Sequence, residues 1–232
     1  MIKKHSLVYI LFGLTALLDI VCIEFFPETR FVTKPLLMPL LMLAYYLEVK
    51  PLNIFSSILL WGLFFSWLGD VLLMMESFSG SFFIGGLLSF LTAHLMYITY
   101  FARTKSPQPA YLKSRPVMLL AVIAYIIELM YILWPHLGGM KIPVMVYGVV
   151  IGAMLGFALW QIGKLDGKAA LLFTAGAALF VVSDSLLAIN KFRSAFPHAG
   201  VFIMLSYCLA QYFLARGSAR HLEAPAVTTV NI

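Results

Sequence analysis

The strongest constraint on this chain is the spacing of its charges. Charged residues are scarce through most of the sequence, which leaves eight apolar runs at approximately 7–26, 34–48, 54–75, 81–101, 116–134, 143–161, 169–189 and 198–215. A helix needs roughly 20 apolar residues to cross the hydrocarbon core of a bilayer. Most of the runs have that length. The second is short and opens on Lys34-Pro35, so it is expected to be tilted or to begin within the interface. Turn formers or charges separate the runs: Pro27, Pro51, Ser79-Gly80, Pro107 and Pro109, Gly138-Gly139, Asp166-Gly167 and Pro197. Only 11% of the 232 residues are charged and 62% are hydrophobic. Soluble domains carry about 25% charged residues, enough to cover a wet surface. The fold class is therefore an all-α integral membrane protein, a bundle of eight transmembrane helices in a lipid bilayer.

The opening Lys3-Lys4 followed by an apolar run mimics a signal peptide. The run continues to about Phe26 and has no clear small-residue cleavage site, so it is expected to remain as the first span. Lysine and arginine in the loops set the orientation. With the N-terminus in the cytoplasm, the inner segments hold Lys3, Lys4, Lys50, Arg103, Lys105, Lys113, Arg115, Lys164, Lys168, Arg216 and Arg220. The outer segments hold Arg30, Lys34, Lys141, Lys191 and Arg193. Eleven against five places both termini in the cytoplasm. If the source is bacterial, the membrane is expected to be the plasma (inner) membrane. The formal charge of +6 thus reads as a topology signal, and no nucleic-acid partner is expected. Residues 1–215 form one polytopic domain, and 216–232 are expected to be a short, disordered polar tail. No internal repeat of the transporter kind is evident. Gly148, Gly152 and Gly156 form a small-residue stripe, read as a packing face for a neighbouring helix.

Ionisable residues are costly inside a span and usually face a cavity or a partner. Here they are Asp19, Glu24, Asp70, His94, Glu128 and Asp184. Asp70 and Asp184 fall in the outer halves of spans three and seven. Asp19, Glu24 and Glu128 also lie outward of their helix centres. Lys34 opens span two at the outer face, and Lys191 ends span seven there. The convergence predicts a polar chamber open to the outer side. The small neighbours in Gly69-Asp70 and Ser183-Asp184-Ser185 permit close helix approach or a local hydrogen bond. The competing reading of each aspartate is a structural tie between helices. Asp184, Leu187, Ala188 and Lys191 share a helix face. Lys191 lies about 10 Å outward of Asp184, where it could hold a phosphate or simply snorkel to water. His94 and Tyr97 share a face of span four, and a lone histidine there is more often packed than catalytic. No metal site is expected: His5 and His221 lie in the tails, His136 lies in a loop, and no histidine pair has ligand spacing. Neither a nucleophile elbow nor a phosphate-binding glycine loop is present.

Four segments occur in a recognisable order: Lys34-Pro35-Leu36-Leu37, Gly69-Asp70, Phe90-x-x-Ala93-His94-x-x-Tyr97 and Ser183-Asp184-x-Leu186-x-Ala188. Their order, placement and eight-span setting resemble the YhhN family of membrane proteins, which includes the lysoplasmalogenases. The resemblance covers most of the chain; spans five and six and the C-terminal tail add little to it. It implies a hydrolase without a cofactor, acting on a lysophospholipid. The bond cleaved is the vinyl ether of an alkenyl-glycerophosphocholine or -ethanolamine, giving a fatty aldehyde and a glycerophospho-base. That chemistry needs a protonated carboxyl and a carboxylate, in the manner of glycoside cleavage. Asp70 and Asp184 are the expected catalytic pair. Lys34 and Lys191 are candidates for the phosphate, Asn190 for a headgroup hydrogen bond, and His94 and Tyr97 for substrate contact. Two other readings use the same residues: a hydrolase of another lysolipid, and a transporter or lipid sensor with the acids as a proton relay.

Overall fold

The computed structural model describes residues 3–104, 106, 110–113 and 116–223. Among them are eight long helices: α1 (Lys4–Phe25), α2 (Arg30–Val49), α3 (Ile54–Met74), α4 (Gly80–Arg103), α5 (Val117–Leu133), α6 (Lys141–Leu159), α7 (Gly167–Ala188) and α8 (Ala199–Glu223). All eight segments are long and apolar enough to cross a membrane. No strand occurs among the described residues. Lys105 and Arg115, used in the loop-charge argument, lie outside them.

Helix ends follow local chemistry. Asn53 caps α3 in a reciprocal capping box with Ser56, and the Asp166 side chain caps α7. Two boundaries differ from the sequence reading. Helix α2 begins at Arg30, so Lys34 lies a full turn inside it. Helix α8 runs to Glu223, although a disordered tail was expected from 216. Its last turns are held by burial. Ser218 lies within hydrogen-bond distance of the Tyr45 and Tyr100 hydroxyls, at 2.6 and 3.0 Å. Gly217 lies against the Phe173 ring, where a Cβ would come within 2.9 Å. Residues 224–232 lie outside the described set.

Pro35 and Pro39 both sit within α2. Pro39 has no N–H, so the Pro35 carbonyl loses its usual helical partner. Trp67 of α3 replaces it, donating Nε1–H to that carbonyl at 3.0 Å. Within a bilayer such a freed carbonyl must find a protein partner.

Packing forms a loop of neighbours from α1 through α2, α3, α4, α6 and α7 to α8 and back to α1. Helix α8 also reaches across to α2 and α3. Helix α5 stands outside this loop and packs on α6. Its seat is the glycine stripe: Cβ atoms on Gly148, Gly152 and Gly156 would meet Met130, Ile126 and Leu119 of α5. A corresponding close approach joins α3 to α4, where Gly62 meets Tyr97 and Gly69 meets Phe90.

Candidate active site

The ionisable residues near the expected outer ends of the helices form two main groups. The first surrounds Asp184 on α7. Tyr147 of α6 donates its hydroxyl to Asp184 Oδ2 at 2.5 Å. His94 of α4 brings Nε2 to 3.3 Å from that oxygen and 2.9 Å from the Tyr147 oxygen. Tyr147 and His94 are buried, whereas the Asp184 side chain is 13% exposed. His94 is held through Nε2; its Nδ1 is buried without a protein partner. Edge contact with Phe180, at a centroid distance of 4.6 Å, fixes the imidazole plane.

Asp184 and Tyr147 separate two small cavities. One, of about 50 Å³, is lined by Leu73 of α3, Phe83, Leu87 and Phe90 of α4, Val144 and Tyr147 of α6, and Asp184, Leu187, Ala188, Lys191 and Phe192. All four residues expected to share the Asp184 face therefore wall one cavity. The other, about 30 Å³, lies towards α5, with Asp184, Tyr147 and Ser185 among its polar lining residues. It has room for a water molecule with several polar partners. Ser185 accepts a hydrogen bond from Tyr125 of α5 at 2.9 Å and donates to the Val181 carbonyl at 2.6 Å. Ser183 donates to the Ile203 carbonyl of α8 at 3.1 Å. The small residues beside Asp184 thus tie its helix turn in place.

Lys191 lines the larger of these two cavities from a π-helical turn, Ile189–Arg193, that continues α7. Such turns add a residue and re-aim the side chains beyond them. Lys191 pairs with Glu76 of the α3–α4 turn. Its Nζ lies 5.1 Å from the centre of the Phe83 ring.

The second group surrounds Asp70 of α3, which is buried. Lys34 Nζ lies 3.3 Å from its Oδ1, and Tyr207 of α8 donates to Oδ2 at 2.6 Å. Nearby on α1, Asp19 accepts from Thr33 at 2.6 Å and faces Arg30 at 3.5 Å. Three rings stand between the two aspartate groups. Phe90, Phe180 and Tyr207 contact one another edge to face at 5.5 to 6.3 Å. Asp70 is not among the residues lining the Asp184 cavity. Leu73, one turn along α3 from Asp70, is, and so is Phe90, which rests on Gly69.

Other candidates lie elsewhere. Tyr97 is buried and donates to Gln211 Oε1 at 2.8 Å. Asn190 accepts from the Phe196 backbone at 3.4 Å, which pins the α7–α8 connection. Glu24 meets His198 at 3.0 Å near the surface, and Glu128 is exposed on α5. Sequence reasoning did not single out Tyr147, Tyr207 or Glu76. A tyrosine in an apolar run reads as core or interface, and only a facing carboxylate marks it otherwise. Glu76 sits in a turn, where an acid is ordinarily solvated.

The YhhN family matches residues 29–218. Human lysoplasmalogenase TMEM86B is 31% identical over 185 residues, covering 79% of this chain and 73% of that protein. Human and bovine lysoplasmalogenase TMEM86A are 32% and 31% identical, each covering 70% of this chain. The chain spans about two thirds of the length of these TMEM86A proteins, 65% in each case. No solved structure shows significant similarity. All four segments picked out in the sequence, from Lys34 to Ala188, fall within the matched region, and the chain belongs to the YhhN family.

Proposed function

We propose that this chain is a lysoplasmalogenase, cleaving the vinyl-ether bond of alkenyl-glycerophosphocholine or -ethanolamine with Asp184 at the reacting centre. The observation that carries this reading is the Asp184–Tyr147–His94 cluster, whose Asp184 and Tyr147 line a cavity that is apolar apart from them and Lys191. The relatives that bear the name lysoplasmalogenase support the substrate class.

The reaction adds water across a vinyl ether. A proton from the Asp184 carboxyl goes to the alkenyl carbon remote from oxygen. The positive charge falls on the carbon bonded to oxygen, as an oxocarbenium ion. Asp184, now a carboxylate and still hydrogen-bonded by Tyr147, faces that cation. Water attacks the charged carbon and returns a proton to Asp184 through Tyr147 or His94. The hemiacetal collapses: its hydroxyl gives up a proton, the C–O bond to glycerol breaks, the glycerol oxygen takes up a proton, and the products are a fatty aldehyde and the glycerophospho-base. The smaller cavity behind Asp184 is the proposed store for the water. Phe83, Leu87, Leu187 and Phe192 supply the apolar wall for the alkenyl chain.

Asp70 is the proposed second acid. Its support is indirect: Tyr207, which donates to it, packs against Phe90, and Phe90 walls the cavity. Lys34 is buried against Asp70 and lines neither Asp184 cavity, whereas Lys191 walls the larger one, so Lys191 is the proposed phosphate ligand. Tyr97 and Asn190 enter as supports of the bundle through Gln211 and Phe196. The site is proposed to open towards the outer face of the membrane, with both termini cytoplasmic. In a bacterial host the membrane would be the plasma (inner) membrane. Purified protein in detergent should release aldehyde from a lysoplasmalogen and leave its saturated alkyl-ether counterpart intact. A transporter or sensor would release none.

A further inference from the structure

Glu76 is half-buried in the turn after α3, with its carboxylate on the ammonium of Lys191, which lines the Asp184 cavity. The two side chains are 30% and 39% exposed. Pairs so open to solvent typically contribute little to stability, which is a weak reason to hold one there. A phospho-base headgroup carries the complementary charges, an anionic phosphate and a cationic ammonium. Resting on the proposed function, we infer that Glu76 and Lys191 form a two-point headgroup site that selects zwitterionic lysolipids. Lys191 exchanges Glu76 for the phosphate, and Glu76 exchanges Lys191 for the ammonium. Both charges keep a partner throughout, so entry leaves neither unpaired. The movement of Lys191 also frees the Phe83 face, over which its ammonium now lies at 5.1 Å. That face can accept the headgroup ammonium by a cation–π contact. The sequence spacing fits this arrangement. Lys191 is seven residues beyond Asp184, so the phosphate site lies outward of the acid, while the vinyl ether reaches inward to it. Lysolipids whose phosphate bears no ammonium lack the Glu76 contact.

The test uses two alkyl-ether lysolipids that carry no cleavable vinyl bond, one with phosphoethanolamine and one with a bare phosphate. Their Kd values are measured by tryptophan fluorescence on the purified full chain in detergent, and wild-type turnover of the vinyl-ether lipid is measured alongside. Glu76→Gln should weaken the phosphoethanolamine lipid about tenfold or more, the scale of one lost hydrogen bond to a charged group. It should not weaken the bare phosphate. The double exchange Glu76→Lys/Lys191→Glu keeps an ion pair at the mouth but reverses its polarity. It should bind phosphoethanolamine no better than Glu76→Gln does. A pair with a purely structural role would instead be rescued by the exchange. Restored binding in the exchange, equal weakening of both lipids by Glu76→Gln, or equal wild-type affinity for the two would each overturn the headgroup site. Wild-type protein that prefers phosphoethanolamine yet releases no aldehyde would overturn the lysoplasmalogenase reading and leave the headgroup site standing.

Discussion

Tyr147 donates a 2.5 Å hydrogen bond to Asp184, and its oxygen also lies 2.9 Å from His94 Nε2. One hydroxyl thus joins helices α4, α6 and α7 at the cavity wall. A tyrosine with a purely packing role would survive loss of its hydroxyl. In the proposed mechanism the hydroxyl steadies the Asp184 carboxylate and passes a proton. Tyr147→Phe should therefore lower kcat about 10²-fold, the lower range for loss of a general acid–base group. KM should change little. Steady-state aldehyde release by the purified variant checks this, and near-normal kcat would remove Tyr147 from the proton path.

Gly69 precedes Asp70 and lies against the Phe90 ring, where a Cβ would approach within 2.6 Å. The ring is confined because it also packs against Phe180 and Tyr207. Gly69→Ala must displace it or part α3 from α4. Overpacking of this kind typically costs about 1–3 kcal/mol. The variant should unfold at a lower temperature in detergent and lose turnover, since Phe90 walls the cavity. Gly13→Ala, where a Cβ would meet nothing within 4 Å, provides the control and should behave as wild type.

Lys34 and Asp70 are both well buried, with side chains 11% and 4% exposed. Removing one member of a buried pair strands the other charge, at about 3–5 kcal/mol. Lys34→Met should therefore be strongly destabilised. Lys34→Met/Asp70→Asn should regain most of the lost stability. If Asp70 is the second acid, the double variant should remain poorly active. Thermal unfolding and aldehyde release on the same preparations separate the two effects.

The bundle was legible because lipid imposes a length on every span and charges mark the breaks. The Asp184–Lys191 face was legible for the same reason, since helical spacing fixes which residues stack. The π turn beyond Ala188 left both on the cavity wall. The lateral arrangement was not legible. Equal depth placed Asp70 and Asp184 together, but depth carries no information about neighbours. Between them stand Phe90, Phe180 and Tyr207, three apolar-run residues whose position depends on packing around α4 and α8. The end of α8 was missed because Gly217, Ser218 and Arg220 look like a polar tail. Their burial against Phe173, Tyr45 and Tyr100, or their pairing with Asp166, arises only in the folded bundle.

Topology can be tested independently of chemistry. Arg216 pairs with Glu48, which places the ends of α2 and α8 on one face. Lys164 donates to the Thr104 carbonyl at 2.8 Å, which joins the ends of α4 and α6. The excess of loop lysine and arginine predicts that this face is cytoplasmic. Reporter fusions after Lys50 and Lys164 should read as cytoplasmic, and one after Met140 as external. An external C-terminus would reverse the proposed side of substrate entry.

The most direct measurement is aldehyde release from a vinyl-ether lysolipid by purified wild-type, Asp184→Asn, Asp70→Asn and doubly substituted protein, each shown to be folded. Asparagine keeps the shape of the side chain but cannot exchange the proton. The account predicts wild-type turnover and a loss of about 10²-fold or more in kcat for Asp184→Asn. If Asp70 acts with it as one unit, the double variant should lose far less than the product of the two single losses. Near-normal turnover by well-folded Asp184→Asn would contradict the central claim.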